Sequence, residues 1–404
     1  MHALFSQAMN HRRSRLLANI LGFAFLLLSA TGCSRFHPGD SAEYVYVTVK
    51  QIYLRDRVAV VANRVAQVTN GERLRVLEHG RHFLKVETPQ GNVGWLEVHA
   101  VIDQGEFDKF QTLAKDHASQ PSVATAVLYS ELYIHLSPGR KTQRFYLFPA
   151  NTKVMLLARA SVPRNPPGGV LGLKPVAPAS AGGASGDRAK RSVKGHKPSF
   201  EKQFLPDVPM EDWWLVRDST GRTGWMLSRD LQVDVPEDVA QYAENEKMVG
   251  AYVLRTVSDP DSGKPNGQVP EYLTVLTPYK DGLPFDFDQV RVFTWDVRRH
   301  RYGTAFREHD VVGFFPVTVT PGNPNAPGGP APIFSFQRAV DNAVSLDPAT
   351  GVPHASQLET ITYRMEGNLV RRVLPPGVKT VAGQAQAERT HFAHRVRHRR
   401  HTAN

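Results

Sequence analysis

The chain repeats itself. Slid along its own sequence by 80 residues, Ile52, Tyr53 and Leu54 fall on Leu132, Tyr133 and Ile134, and Leu74, Val76 and Leu77 fall on Val154, Leu156 and Leu157 without a gap. Farther on the offset becomes 130: Val86 meets Val216, and Gly91-Asn-Val-Gly94-Trp95 meets Gly221-Arg-Thr-Gly224-Trp225. A diverged duplication restricts the fold severely, because one pattern must build the same unit twice. The jump of 50 in the offset places an insertion inside the second copy.

Within each copy, short apolar or alternating runs rich in Val, Ile, Leu and Tyr are separated by turn signals such as Asn70-Gly71 and Gln90-Gly91. Such strands suit a small antiparallel barrel. Gly94 permits a tight strand entry, and the Trp95 indole caps the core at the barrel's end. Residues 163 to 206 supply most of the insertion, with Pro163-Arg-Asn-Pro-Pro-Gly-Gly and Ala179-Ser-Ala-Gly-Gly-Ala-Ser-Gly. That composition buries too little apolar surface to fold, so a disordered loop is expected.

These residues resemble the bacterial SH3 domain (SH3b). In copy one the likeness is carried by Val47 through Leu54, the Gly71-Glu72 turn before Leu74-Arg-Val76, Phe83-Leu-Lys-Val86 and Gly91-Asn-Val-Gly94-Trp95-Leu96. In copy two it is carried by Leu128 through Ile134, Val154 to Leu157, Trp213-Trp-Leu-Val216 and Gly221-Arg-Thr-Gly224-Trp225-Met226. The family reads Leu-Asn-Val-Arg and then a Ser-Gly-Pro turn after its first strand, where this chain has Tyr53-Leu54-Arg55-Asp56 and Tyr133-Ile134-His135-Leu136-Ser137-Pro138. The resemblance implies docking at the cell envelope, on peptidoglycan peptides or on envelope proteins. Rings give contact area at low entropic cost and arginine pairs with carboxylates, so the ligand candidates are Tyr53, Arg55, Arg81 and Trp95 in copy one. In copy two the candidates are Tyr133, Trp213, Arg222 and Trp225. The competing reading of the indoles is that Trp95, Trp225 and one of Trp213 or Trp214 fill the barrel cores.

From Pro236 the pattern changes. Glu237 to Met248 has acids early and Lys247 late, which predicts a short connecting helix. Strands are then predicted over 251–257, 272–277, 290–297, 304–307, 312–319, 333–336 and 359–366, with 369–373 closing a hairpin at Gly367-Asn368; an antiparallel sandwich, barrel or blade-like sheet would accommodate them. Asp286, Asp288, Asp296, His300, Glu308 and His309 could bind a metal or do acid/base work, yet the same aspartates suit turns and a polar hairpin tip. Neither His-Glu-x-x-His nor Gly-x-Ser-x-Gly occurs.

The chain begins with His11, Arg12, Arg13 and Arg15 before Leu16 to Leu28, in which Asn19 is the sole strongly polar residue. This has the order of a signal peptide and is too short to span a bilayer. Leu28-Ser-Ala30-Thr-Gly-Cys33 resembles a bacterial lipobox, which implies cleavage before Cys33, lipidation of its thiol and a membrane tether; a plain secretory signal followed by an unrelated cysteine is the alternative. Cys33 is the only cysteine, so the mature chain has neither internal disulfides nor thiol catalysis at its disposal. Ser34 rather than Asp at the next position implies the periplasmic face of the outer membrane. Net charge is +11, which favours anionic partners.

The expected class is all-β: a signal peptide (1–32), a tether (33–43), a first SH3-like domain (44–104), a linker helix (105–122), a second SH3-like domain (123–235), a connecting helix (236–250), a β-rich domain (251–376) and a basic, disordered tail (377–404). The expected function is a non-catalytic, membrane-anchored envelope lipoprotein that binds wall components or partner proteins. No cofactor and no specific nucleic acid is expected. A metal-dependent peptidoglycan hydrolase and an envelope assembly scaffold are the alternatives.

Overall fold

The computed structural model describes residues 42–164, 200–323, 325 and 331–374. The leader with Cys33, most of the insertion and the tail from 377 lie outside the described residues.

The two copies of the repeat fold alike. The first has strands β1 (Tyr44–Val47), β2 (Gln51–Arg55), β3 (Arg64–Thr69), β4 (Arg73–His79), β5 (Phe83–Glu87), β6 (Val93–Glu97) and β7 (Val101–Asp103), in the order β3-β2-β6-β5-β4-β1-β7. The second has β8 (Ala124–Leu128), β9 (Leu132–His135), β10 (Arg144–Phe148), β11 (Lys153–Pro163), β12 (Met210–Arg217), β13 (Thr223–Leu227) and β14 (Leu231–Val233), in the order β10-β9-β13-β12-β11-β8-β14. Adding seven to each strand number converts one order into the other. Between them α1 (Gln104–Asp116) starts where the Asp103 carboxylate accepts the Glu106 amide at 2.8 Å, and it stops well short of the expected 122.

The described residues divide into two compact units, and the division runs through the first barrel: 42–45, Tyr53–Gln67 and Arg73–Val98 form one, while Tyr46–Ile52, Val68–Glu72 and the described residues from His99 onward form the other. In the first unit Leu54, Leu74, Leu84, Val86 and Leu96 are buried. In the second, Phe107 and Phe110 of α1 pack on Tyr46 and on Phe145 of the second barrel, whose core also holds Ile134, Val154, Trp214 and Met226. Asn70 serves more than a hairpin turn. Its amide donates to the carbonyls of Thr48 (2.7 Å) and Phe145 (3.0 Å) and accepts the Leu147 amide at 2.8 Å.

The connecting helix is reduced to one turn, α2 (Glu237–Ala240), followed by a 3-10 turn. Glu244 and Asn245 both take left-handed backbone, and β15 (Glu246–Ser258) begins at once. The long ladder that Met248 to Val257 makes with β16 (Gln268–Pro278) outweighs the helical composition. With β17 (Gln289–Asp296) and β18 (Arg301–Glu308) these strands form one sheet, in chain order. A second sheet joins β19 (Gly313–Thr320) and β20 (Ile333–Ala339) to β23 (Leu358–Glu366) and β24 (Leu369–Val373), while β21 (Val344–Leu346) and β22 (Pro353–Ala355) make a separate ribbon. Leu273, Val275, Val290 and Val292 of one sheet meet Phe334, Phe336, Ile361 and Met365 of the other, so this part is a β-sandwich.

The insertion leaves the second barrel at the tip of the β11–β12 hairpin, and its last residues are ordered. Phe200 and Phe204, counted above within a disordered loop, lie on a 3-10 turn against Phe285, because two adjacent rings supply apolar area that the rest of the insertion lacks.

Candidate functional site

The sequence candidates resolve into one pattern that occurs twice. In the first barrel Tyr53 lies on β2, and the Arg64 guanidinium from β3 sits 4.4 Å from its ring centre. In the second barrel Arg144 sits 4.6 Å from the Tyr133 ring centre. Tyr133 and Arg144 each stand 80 positions after their counterparts. A guanidinium on an aromatic face is held flat while its N–H edge stays available for a carboxylate or phosphate.

Next to each pair the strand crossing is also shared. Arg55 lies opposite Trp95 where β2 meets β6, and His135 lies opposite Trp225 where β9 meets β13. The close approach explains the glycine before each tryptophan. A Cβ on Gly94 would fall 2.8 Å from Leu54 Cβ and 3.0 Å from the Arg55 carbonyl; on Gly224 it would fall 2.7 Å from Ile134 Cβ and 3.0 Å from the His135 carbonyl.

The two surfaces differ in charge. Arg55 is exposed, and the Lys85 ammonium stands 5.9 Å from the Trp95 ring centre. His135 sits against Trp213, with ring centres 5.0 Å apart and Nδ1 3.0 Å from Thr142 Oγ1. Burial, followed by the charge of Arg144, holds its pKa down to about 4, so it is neutral at pH 7.

The remaining candidates are placed as follows. Arg81 is exposed on the β4–β5 turn. Trp95 and Trp225 are half-buried, whereas Trp213 is only 2% exposed and its Nε1 has no partner among the described residues. Trp213 and Trp214 are thus both interior, and Trp213 has no surface to offer a ligand. Arg222 is engaged internally: its Nε donates to Asp218 Oδ2 at 2.8 Å and its guanidinium covers Phe148 at 4.6 Å. Exposed arginines that cover a tyrosine at matching positions of both copies are instead Arg144 and Arg64; Arg73 also covers Tyr44, at 4.1 Å, in copy one alone among the described residues. Neither Arg144 nor Arg64 was singled out from the sequence, although the 80-residue offset that aligned the tyrosines aligns these two arginines too.

In the sandwich, the carboxylates and histidines read as a possible constellation are held apart by separate duties. Asp286 accepts from Arg159 and from the Phe315 amide, Asp259 takes the Trp295 indole and His300, Glu308 accepts from Tyr363, and His309 contacts Gln289. Asp296 accepts the Arg298 and Arg299 amides, as a hairpin tip requires. Among the described residues no three His, Cys, Asp or Glu side chains gather as a metal would need.

No family model matches the chain, and no curated protein does. Among solved structures it is similar to an NlpC/P60 family protein from Bacillus cereus ATCC 10987, at 10% identity and a TM-score of 0.21 over 47% of this chain and 56% of that one. The chain therefore spans little more than half of that protein. NlpC2 and NlpC1 from Trichomonas vaginalis match at 10% and 9% identity with TM-scores of 0.14 each, over 81% and 65% of this chain and 97% and 87% of theirs. Likenesses this weak do not place the chain in a family.

Proposed function

We propose that the chain is a non-catalytic binding protein of the bacterial envelope, tethered to the outer membrane through lipidated Cys33, whose duplicated barrels grip acidic wall peptides or acidic partner proteins. The observation that carries this reading is the stacked Tyr–Arg pair at the same register in both barrels, 4.4 Å in one and 4.6 Å in the other. Duplication lets two weak contacts act on one polymer, which raises avidity without any new contact. Exposed arginines favour carboxylate ligands, and the first barrel is the stronger anion site because Arg55 stands where the second has a neutral histidine.

The test is co-sedimentation of the full-length chain with purified peptidoglycan, with soluble fragments followed in the same tube. Salt-sensitive binding without release is expected, weakened about tenfold or more by Arg64→Ala together with Arg144→Ala. Release of soluble fragments would instead make the protein a wall hydrolase. Absence of both binding and release, with capture of envelope proteins by cross-linking, would make it a scaffold.

A further inference from the structure

The second compact unit contains a cleft of about 380 Å³, at the lower end of the range that holds small molecules. Its walls include Tyr129, Asp212, Ser228, Lys247, Tyr279 and Asp281. Most charges here are already matched. Arg159 donates to Asp212, Asp286, Ser161 and the carbonyls of Leu283 and Phe285, and Asp212 also accepts the Gly282 amide at 2.9 Å. Lys247, Lys280 and Asp281 are the exceptions, Lys280 and Asp281 being exposed. Lys247 Nζ donates to the Ser228 carbonyl and to Ser228 Oγ at 2.7 Å, and no carboxylate among the described residues forms an ion pair with it. An ammonium has three N–H bonds, so one remains. Because Oγ accepts from Nζ, its own proton is free to be given away.

Ser228 has no role that the barrel fold imposes. At an offset of 130 its counterpart is Val98, and both begin the same 3-10 turn. A hydroxyl at that position belongs to the second copy alone, and the facing lysine comes from β15, which has no counterpart in the repeat. At the cleft mouth Tyr129 and Tyr279 are 67% and 69% exposed, so two large rings stand in water beside the polar floor.

We propose that this cleft binds a small zwitterion, an amino acid or short peptide, whose carboxylate is met by Lys247 and Ser228 Oγ, whose ammonium is met by Asp281, and whose body lies along Tyr129 and Tyr279. A simple anion would leave Asp281 without a countercharge, and a simple cation would leave Lys247 without one. A zwitterion satisfies both. The electrostatics agree with this geometry. Burial brings Lys247 down to about 8, against the opposing pull of Asp212, Asp281 and Asp230 and with Arg159 repelling it. Asp281 is exposed as a residue, but partial desolvation of its carboxyl raises it to about 6, reinforced by Asp212 and Glu211 and opposed by Lys247 and Arg159. In each group burial outweighs the neighbouring opposite charges, and both are predominantly ionised between those two values. Binding is therefore strongest near pH 7 and weakens on either side.

The probe is alanylalanine, titrated calorimetrically into the full-length chain at pH 7, beside its N-acetylated and C-amidated forms. A Kd of about 0.1–1 mM is expected for so few atoms, with each blocked form at least tenfold weaker. Asp281→Asn, an exposed position, is expected to lose about tenfold while thermal unfolding stays unchanged, and Lys247→Met is expected to lose at least as much. No heat at dipeptide concentrations of about 10 mM, or equal binding of the blocked forms, would overturn the proposal. If Lys247→Met fails to fold, Asp281→Asn and the blocked dipeptides still decide. None of these outcomes depends on whether the barrels bind wall.

Discussion

At the scale of single residues, the glycines before the two tryptophans are fixed by the crossing strand rather than by turn chemistry. Gly94→Ala would force a methyl against Leu54 Cβ and a backbone carbonyl, and Gly224→Ala would do the same against Ile134. Each is expected to cost about 1–3 kcal/mol, read as a lower urea midpoint. Gly91→Ala meets no atom within 4 Å but must hold φ near +83°, so a loss of about 1–2 kcal/mol is expected. Equal midpoints for Gly94→Ala and the parent chain would show that the strands separate easily at the crossing. His135 provides a second residue-level test. Its folded pKa is held near 4 while an unfolded histidine titrates near 6.5. Between those values the unfolded chain binds more protons, so stability is retained above about 6.5 and falls as pH drops toward 4. His135→Gln should flatten that acid-side decline in urea titrations at stepped pH. An unchanged slope would move the acid sensitivity to another group.

At the scale of elements, the β11–β12 hairpin is where the repeat departs from itself. Its counterpart β4 has 7 residues, whereas β11 has 11, and the added length reaches the sandwich through buried polar groups. Arg159 is matched by two carboxylates and two carbonyls, and at the hairpin's end Glu211, only 2% exposed, takes Arg140 Nε at 2.9 Å and Arg164 at 3.1 Å. Arg159→Met leaves Asp212 and Asp286 buried without their cation, and a loss of about 3–5 kcal/mol is expected, followed by urea unfolding through the buried Trp214. A loss below about 1 kcal/mol would mean that water enters and takes the arginine's place. The place of the insertion was legible in sequence, because the offset changes between Leu77 and Val86. The clasp was not, since Arg159 finds Asp286 across 127 positions and no local period records such a pairing. The same limit governs the sites. Alternation and turn residues gave the strands of the sandwich, including the Gly367 hairpin, and missed the short β21–β22 ribbon. Tyr53 and Tyr133 could be picked out, while Lys247 was assigned to a helix that tertiary strand pairing replaces with β15.

At the scale of the whole molecule, two sources of positive charge compete to explain any affinity for an acidic polymer. From Gly377 onward Lys379, Arg389, Arg395, Arg397, Arg399 and Arg400 stand against Glu388 alone, so this segment carries +5 of the net +11. Charge of that kind attracts any polyanion and is screened by salt, since the Debye length shrinks to about 8 Å at physiological ionic strength. The paired tyrosine–arginine surfaces make a more restricted demand, because a stacked guanidinium offers a fixed edge that suits a carboxylate. The two contributions separate by removal. Deleting 377–404 is expected to lower association with heparin several-fold at low salt and to leave sedimentation with peptidoglycan at about 0.15 M salt within about twofold. Arg64→Ala with Arg144→Ala should do the reverse, because it removes two charges of the net total yet takes the fixed edge from both barrels. Loss of peptidoglycan binding on deletion of the tail, with the double variant unchanged, would assign the affinity to diffuse charge and leave the barrels without a ligand.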